Sequence, residues 1–187
     1  MARAWIRLAR DDVPGALEEA EAMLAAYRAR VRKQVEFAGA VLAAYGFFLF
    51  ATGRESEAGA AADELVSTLR GTHHGLGGDP VPIVFLLVGL NRTADLESIL
   101  ESRPPTPWTE AAHRVAAGDL AGAADVYAEL GSLHVEAYAR LHAAEQLVAE
   151  GRRGEADVQL QKALRFYRSV GATRFVREGE ALLAASA

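Results

Sequence analysis

The chain of 187 residues contains no cysteine, one asparagine, three isoleucines and two lysines. Without cysteine it can form no disulfide, thiolate zinc site or thiol nucleophile, and we expect a reducing, cytoplasmic location. Residues 1–7 mix apolar side chains with arginine, so they lack the apolar core of a secretory signal peptide.

The longest run without charge, residues 37–53, is 17 residues long and is interrupted by alanine and glycine. A membrane-spanning helix needs about 20 predominantly apolar residues. We therefore predict a buried helix here and no membrane partner.

Alanine is the abundant residue, with 39 copies. Because alanine favours helices and is depleted in strands, we predict an all-α fold. Punctuation by glycine, proline and asparagine divides the chain into ten or eleven helices. We predict them at 2–10, from Pro14 onward, and at 33–52, 55–70, 81–90, 94–102, 108–117, 119–130, 133–150, 153–170 and 173–185. Segment 81–90 is apolar enough for a buried strand, but a lone strand would have no partner.

A turn motif recurs along the chain. Gly53, Gly118 and Gly151 each precede a small residue by five positions, namely Ala58, Ala123 and Ala156. Asp11 before Ala16 and Asn91 before Leu96 fit the same frame more weakly. The small residues are 42, 38, 27 and 33 positions apart, and a period of 30–40 with two helices per unit indicates an α-solenoid. We predict one helical-repeat domain over 1–187, with N-terminal helix pairs (1–70), an irregular middle (71–107) and C-terminal repeats (108–187).

This pattern resembles the tetratricopeptide repeat, whose units are about 34 residues long. Ala144, Gly151, Ala156, Leu160 and Ala163 fall where that repeat places its signature residues, whereas Arg168 and Arg70 stand where it places proline. Residues 107–187 resemble the C-terminal repeat region of actinobacterial LuxR-type or cyclase-associated ATP-dependent regulators. That resemblance implies a sensor or scaffold attached to regulatory domains. The chain has no phosphate-binding G-x-x-x-x-G-K-[ST] loop.

In a tetratricopeptide superhelix the first helix of each pair lines the concave side. Counting from each turn places five aromatic residues there: Phe47, Phe50, Phe85, Trp108 and Tyr138. Such a stripe can bind a peptide, a partner helix or a small effector. The alternative is that these rings pack between neighbouring units.

Converging polar groups are scarce. His73 and His74, with Asp79, lie in the glycine-rich segment 71–80, but structural zinc sites need four ligands and no others are close in sequence. We therefore predict no metal, no cofactor and no catalytic site. With 20 basic and 25 acidic residues the net charge is −5, which does not favour nucleic-acid binding. The basic cluster Arg28, Arg30, Arg32 and Lys33 suits a helix C-terminus.

The sequence thus favours a non-catalytic module that binds a protein, a peptide or a small effector, within a larger bacterial transcriptional or signalling regulator. A stand-alone adaptor or assembly protein of the same fold, dimeric through its apolar edges, is the first alternative. An all-helical enzyme with a histidine site in segment 71–80 is the second.

Overall fold

The computed structural model describes residues 2–29, 35–70 and 81–186. These ranges contain eleven helices and no strand, which confirms the all-α class. The helices are α1 (Ala2–Ala9), α2 (Val13–Arg28), α3 (Val35–Ala51), α4 (Glu55–Leu69), α5 (Val81–Gly89), α6 (Thr93–Glu101), α7 (Pro107–Ala116), α8 (Leu120–Glu129), α9 (Leu133–Ala149), α10 (Arg153–Ser169) and α11 (Thr173–Ser186).

Each predicted turn residue has a left-handed backbone. The φ angles of Gly53, Gly118 and Gly151 are +81°, +80° and +75°, and Asp11 and Asn91 share this conformation at +67° and +57°. At Gly53 the amide donates to the Phe50 carbonyl and the next amide donates to the Leu49 carbonyl. These two bonds form a Schellman motif, which ends one helix and reverses the chain.

The same pair of bonds recurs at every one of these turns, and also at Gly131 and Gly171. The connections at these seven turns are therefore short and alike, and the helices that each of them joins run antiparallel. Neighbouring helices pack side by side along the chain as an α-α superhelix.

The residue five positions after each predicted turn lies at the contact between two helices. All five of these side chains are completely buried: Ala16, Ala58, Leu96, Ala123 and Ala156. Small side chains at helix crossings allow the axes to approach closely. This placement accounts for part of the alanine content that the sequence displays.

The segment that resembled a strand is α5, which is buried from Val81 to Leu87. A helix that is apolar on all sides needs protein on all sides, and α5 packs against α3, α6 and α7. The same exclusion from water applies to much of α3, where Leu42, Phe47 and Phe48 are buried. No helix in the described part of the chain is both long and apolar enough to cross a membrane.

Side-chain caps begin several of the helices. Asp12 and Asp119 accept hydrogen bonds from the amides of Gly15 and Gly122, and Thr106 forms a capping box with Thr109. The sequence suggests Ser132 as the cap of α9. Ser132 does occupy that position, but its side chain makes no capping hydrogen bond.

Arg140 connects the C-terminal helices below the surface. Only 3% of it is exposed, and its guanidinium donates to Glu136 at 2.7 Å, to Gln159 at 2.8 Å and to Asp125 at 2.9 Å. These partners lie on α9, α10 and α8. A buried guanidinium with several acceptors avoids the large cost of an unpaired charge, and it fixes α9 between its two neighbours.

Gly53 and Gly59 allow a matched test of the turn. A Cβ atom at either position would meet nothing within 4 Å, but only Gly53 has a positive φ. We expect Gly53→Ala to lower the free energy of unfolding by about 1–2 kcal/mol. Gly59→Ala should raise it by about 0.5–1 kcal/mol, because alanine favours the helix interior. Urea denaturation of both variants measures the difference, and equal effects would contradict the turn assignment.

Candidate functional site

Five helices meet at the ring of Tyr138 on α9. Four rings from other helices lie around it with centroid distances between 4.8 and 6.0 Å: Phe85 of α5, Phe47 of α3, Trp5 of α1 and Phe175 of α11. All four are in edge-to-face geometry, which aromatic pairs prefer. We call these five residues the Tyr138 cluster.

Burial raises the pKa of the Tyr138 phenol above its ordinary value of 10. The neutral form is therefore the only one present near neutral pH. The Tyr138 ring packs at the centre of the molecule, among rings from four other helices.

Three of the five aromatic residues predicted to line a groove belong to this cluster. Phe47 is completely buried, and Phe85 and Tyr138 are each 7% exposed. The other two lie elsewhere: Phe50 packs beside Gly89 of α5, and Trp108 packs against Tyr127 at 5.9 Å. The structure thus brings three of the rings together but fills the space in front of them with α1 and α11. A ligand can contact those three rings only if these helices move.

The two ends of the chain meet on this filled side. Arg177 of α11 forms an ion pair with Asp11, which follows α1, at 2.5 Å. Arg174 donates to the main-chain carbonyl of Ala51 at the end of α3, with 2.9 Å between nitrogen and oxygen. The superhelix is therefore closed by contacts between residues more than 120 positions apart.

Closure creates an apolar groove of about 330 Å³ between α1 and the C-terminal helices. We call it the end groove. The residues that line it are Ala2, Trp5, Ile6, Ala9, His134, Phe166, Tyr167, Val170, Ala172 and Phe175. Trp5 and Phe175 belong also to the Tyr138 cluster, so the cluster forms the floor of the end groove.

The rim of the end groove is open to solvent. Ile6 on α1 and Val170 at the end of α10 are 51% and 53% exposed, and Phe166 between them and the floor is half-buried. Large apolar side chains at the edge of an apolar concavity mark surfaces that bind other molecules. The end groove is the strongest candidate site in the described part of the chain.

The sequence did not reveal this site. Ile6 and Val170 are 164 positions apart, and only the closure of the superhelix makes them neighbours. The available signal was an apolar residue at a position where the helical period predicts solvent. The same signal occurs at Phe37, Leu133 and Val158, which are 48%, 56% and 52% exposed but do not line the groove. An exposed apolar residue in a helix therefore does not by itself identify a site.

Most of the remaining sequence candidates lie outside the described residues. These are His73, His74 and Asp79, and the basic residues Arg30, Arg32 and Lys33. Arg28 pairs with Glu64 across to α4 at 2.8 Å. Among the described residues, no group of three or more metal-ligand side chains is found.

A larger cavity of about 1020 Å³ lies beside α7. Its charges are mixed, because Arg114 pairs with Glu110 and Asp119 along its wall. The Arg103 guanidinium has no hydrogen-bond partner among the described residues, but its nitrogens are buried and closed off from solvent. Glu101 and His113 also line this cavity, so its wall is polar and of mixed charge, unlike the apolar end groove.

No family model, curated protein or solved structure matches this chain. The relation to tetratricopeptide repeats and to the regulators named above therefore stays a prediction based on the turn motif and its spacing. The functional argument below rests on the geometry of the end groove.

Removing the central ring should destabilise the whole array. We expect Tyr138→Ala to lower the free energy of unfolding by about 3–5 kcal/mol, because it leaves a cavity where five helices meet. Phe37→Ala removes a half-exposed ring and should change the free energy of unfolding by less than about 0.5 kcal/mol. Denaturant unfolding followed by circular dichroism compares the two, and a small effect of Tyr138→Ala would contradict the central role of the cluster.

A substitution at Tyr167 should stabilise the protein, in contrast to Tyr138→Ala. Its hydroxyl is buried without a hydrogen-bond partner among the described residues, while its ring stacks on Phe175 at 4.8 Å. Burial also raises its pKa. Since an unsatisfied buried polar group costs about 1–3 kcal/mol, we expect Tyr167→Phe to raise the free energy of unfolding by about 1 kcal/mol. Tyr27→Phe, at a half-buried ring of α2, should give no gain. A loss of stability in Tyr167→Phe would show that the hydroxyl is satisfied.

Proposed function

We propose that this chain is a non-catalytic protein-binding module and that the end groove receives a segment of its partner. The observation that carries the proposal is the half-exposed pair Ile6 and Val170 on the rim of an apolar concavity. Apolar side chains exposed to water at such a place become favourable when a partner covers them, at about 25 cal/mol per Å² of buried apolar surface.

The groove is already formed in the chain alone, before any partner docks. Two rings of the Tyr138 cluster, Trp5 and Phe175, line it, the Asp11–Arg177 pair joins the end of α1 to α11, and the Arg168–Glu180 pair joins α10 to α11. A preformed surface loses little conformational freedom on binding, which favours affinity. Recognition by a rigid helical scaffold is the activity that this arrangement supports best.

The cellular role follows from the resemblance rather than from the groove. We propose that the module is the sensor or scaffold part of a cytoplasmic bacterial regulator, in which binding at the end groove is transmitted to attached domains. The contacts between α1 and α11 supply a physical route, because a partner in the groove touches both ends of the superhelix.

Site-specific photo-crosslinking tests the proposal. A photo-reactive amino acid replaces Ile6 or Val170 in cells that express the chain, and the same replacement at Val158 serves as control. Val158 is equally exposed, at 52%, but lies elsewhere on α10 and does not line the groove. We expect one and the same protein to be linked from Ile6 and Val170 and not from Val158.

Binding of that protein, once purified, then provides the quantitative measure. Ile6→Asp combined with Val170→Asp should weaken its affinity about tenfold or more, since each tenfold step corresponds to about 1.4 kcal/mol. The unfolding free energy should change by less than about 0.5 kcal/mol, as is usual for exposed positions. Unchanged affinity of the double variant, or equal crosslinking from Val158, would refute the proposal.

A further inference from the structure

The lining of the end groove restricts the backbone conformation of whatever binds there. Eight of its ten lining residues are purely hydrocarbon in their side chains or carry an indole, and the Tyr167 hydroxyl is buried below the surface. A bound chain therefore finds few hydrogen-bond partners for its main-chain amides and carbonyls, which must nevertheless be satisfied.

A helix meets that requirement, because its main-chain groups bond to one another. An extended peptide meets it by adding to the edge of a sheet, and the described residues contain no strand. The geometry thus favours an amphipathic helix, which would lay its apolar stripe between α1 and α10.

Positive charges border the groove on both of these walls. On the α1 side, Arg3 lies three residues before Ile6, and Arg10, the residue just after the end of α1, lies four residues after it. The Arg10 amide still donates to the Ile6 carbonyl, and at this helical spacing the three residues fall on one side. On α10, Lys162 lies one turn before Phe166. All three cations are exposed, and none belongs to an ion pair found within the described ranges.

Among the residues that the structure describes, the helices that line this rim carry no unpaired carboxylate close to Arg3, Arg10 or Lys162 in sequence. Helix α1 carries no acidic residue, and α10 carries none after Asp157. On α11, Glu178 pairs with Arg174 and Glu180 pairs with Arg168, each within 3 Å. The groove border is thus locally cationic in a chain whose net charge is −5. Because the Debye length is about 8 Å at physiological ionic strength, a docked partner experiences the border and not the net charge.

We propose that the end groove binds an amphipathic helix of a partner protein, with acidic side chains flanking its apolar stripe. Arg3 and Arg10 are seven residues apart, which is about 10 Å at the helical rise per residue, and Arg10 is the first residue past the end of α1. Acidic residues two turns apart on the partner helix match that spacing. This inference rests on the proposed function, since it specifies the partner of the same groove.

Two synthetic helical peptides test whether the end groove prefers acidic or basic side chains beside the apolar stripe of its partner. Both carry the same leucine stripe over about four turns, and the positions beside the stripe are glutamate in one and lysine in the other. Isothermal titration calorimetry with the full chain at low salt should show about tenfold or tighter binding of the glutamate peptide, a preference that decreases as salt is added. In a Trp108→Phe background, fluorescence of Trp5, the remaining tryptophan, reports whether the peptide occupies the groove.

Charge reversal provides the matched control. Arg3→Glu places an acidic residue in the first turn of α1, where the helix dipole favours it, and it should remove the preference for the glutamate peptide. Arg70→Glu, at the exposed end of α4 and outside the groove, makes the same change in net charge and should leave the preference intact.

Each alternative result overturns the inference. Equal or tighter binding of the lysine peptide, or equal effects of Arg3→Glu and Arg70→Glu, would mean that the rim does not select acidic helices, while the groove would still bind helices. Absence of binding by both peptides would mean that the occupant is not such a helix. The proposed function would then be decided separately, by the crosslinked protein and the Ile6 and Val170 variants.

Discussion

The ring of Tyr138 lies in the centre of the molecule, and its contacts decide the shape of everything around it. Rings from α1, α3, α5 and α11 surround it edge-on, so the concave side that an open superhelix would leave to solvent is filled. Each ring contributes apolar burial and about 0.5–1.5 kcal/mol of aromatic contact beyond it. Because the partners come from both ends of the chain, this one cluster holds the superhelix closed.

A second constraint acts locally and repeats. The Schellman turns at Gly53, Gly118 and Gly151 end their helices in the same way, and a small buried residue follows five positions later. The turn sets the direction of the next helix and the small residue sets how closely it approaches. Local geometry thus builds the pairs of helices, while the Tyr138 cluster determines how the pairs are arranged around one another.

The end groove is a consequence of closure. Where α1 meets α10 and α11, the packing is incomplete, and Ile6 and Val170 remain half-exposed beside the buried floor. Arg3, Arg10 and Lys162 border the same place and have no ion-pair partner in the described part of the chain, whereas arginines such as Arg114 and Arg152 elsewhere on the surface pair with carboxylates. Apolar surface and positive charge therefore coincide at the junction of the two helical ends, where a bound partner would contact both.

The sequence by itself determined the helical class, the positions of the turns and the small residues at the helix crossings. These depend on the backbone freedom of glycine and on helical periodicity, which act over a few residues. It also placed five aromatic residues in one stripe, of which Phe47, Phe85 and Tyr138 meet in the structure and Phe50 and Trp108 do not join them. Only the tertiary structure decided that these rings are buried, that Asp11 meets Arg177, and that Ile6 lies near Val170. The last two of these pairs are over 150 positions apart in sequence, and no local pattern encodes which distant helices pack together.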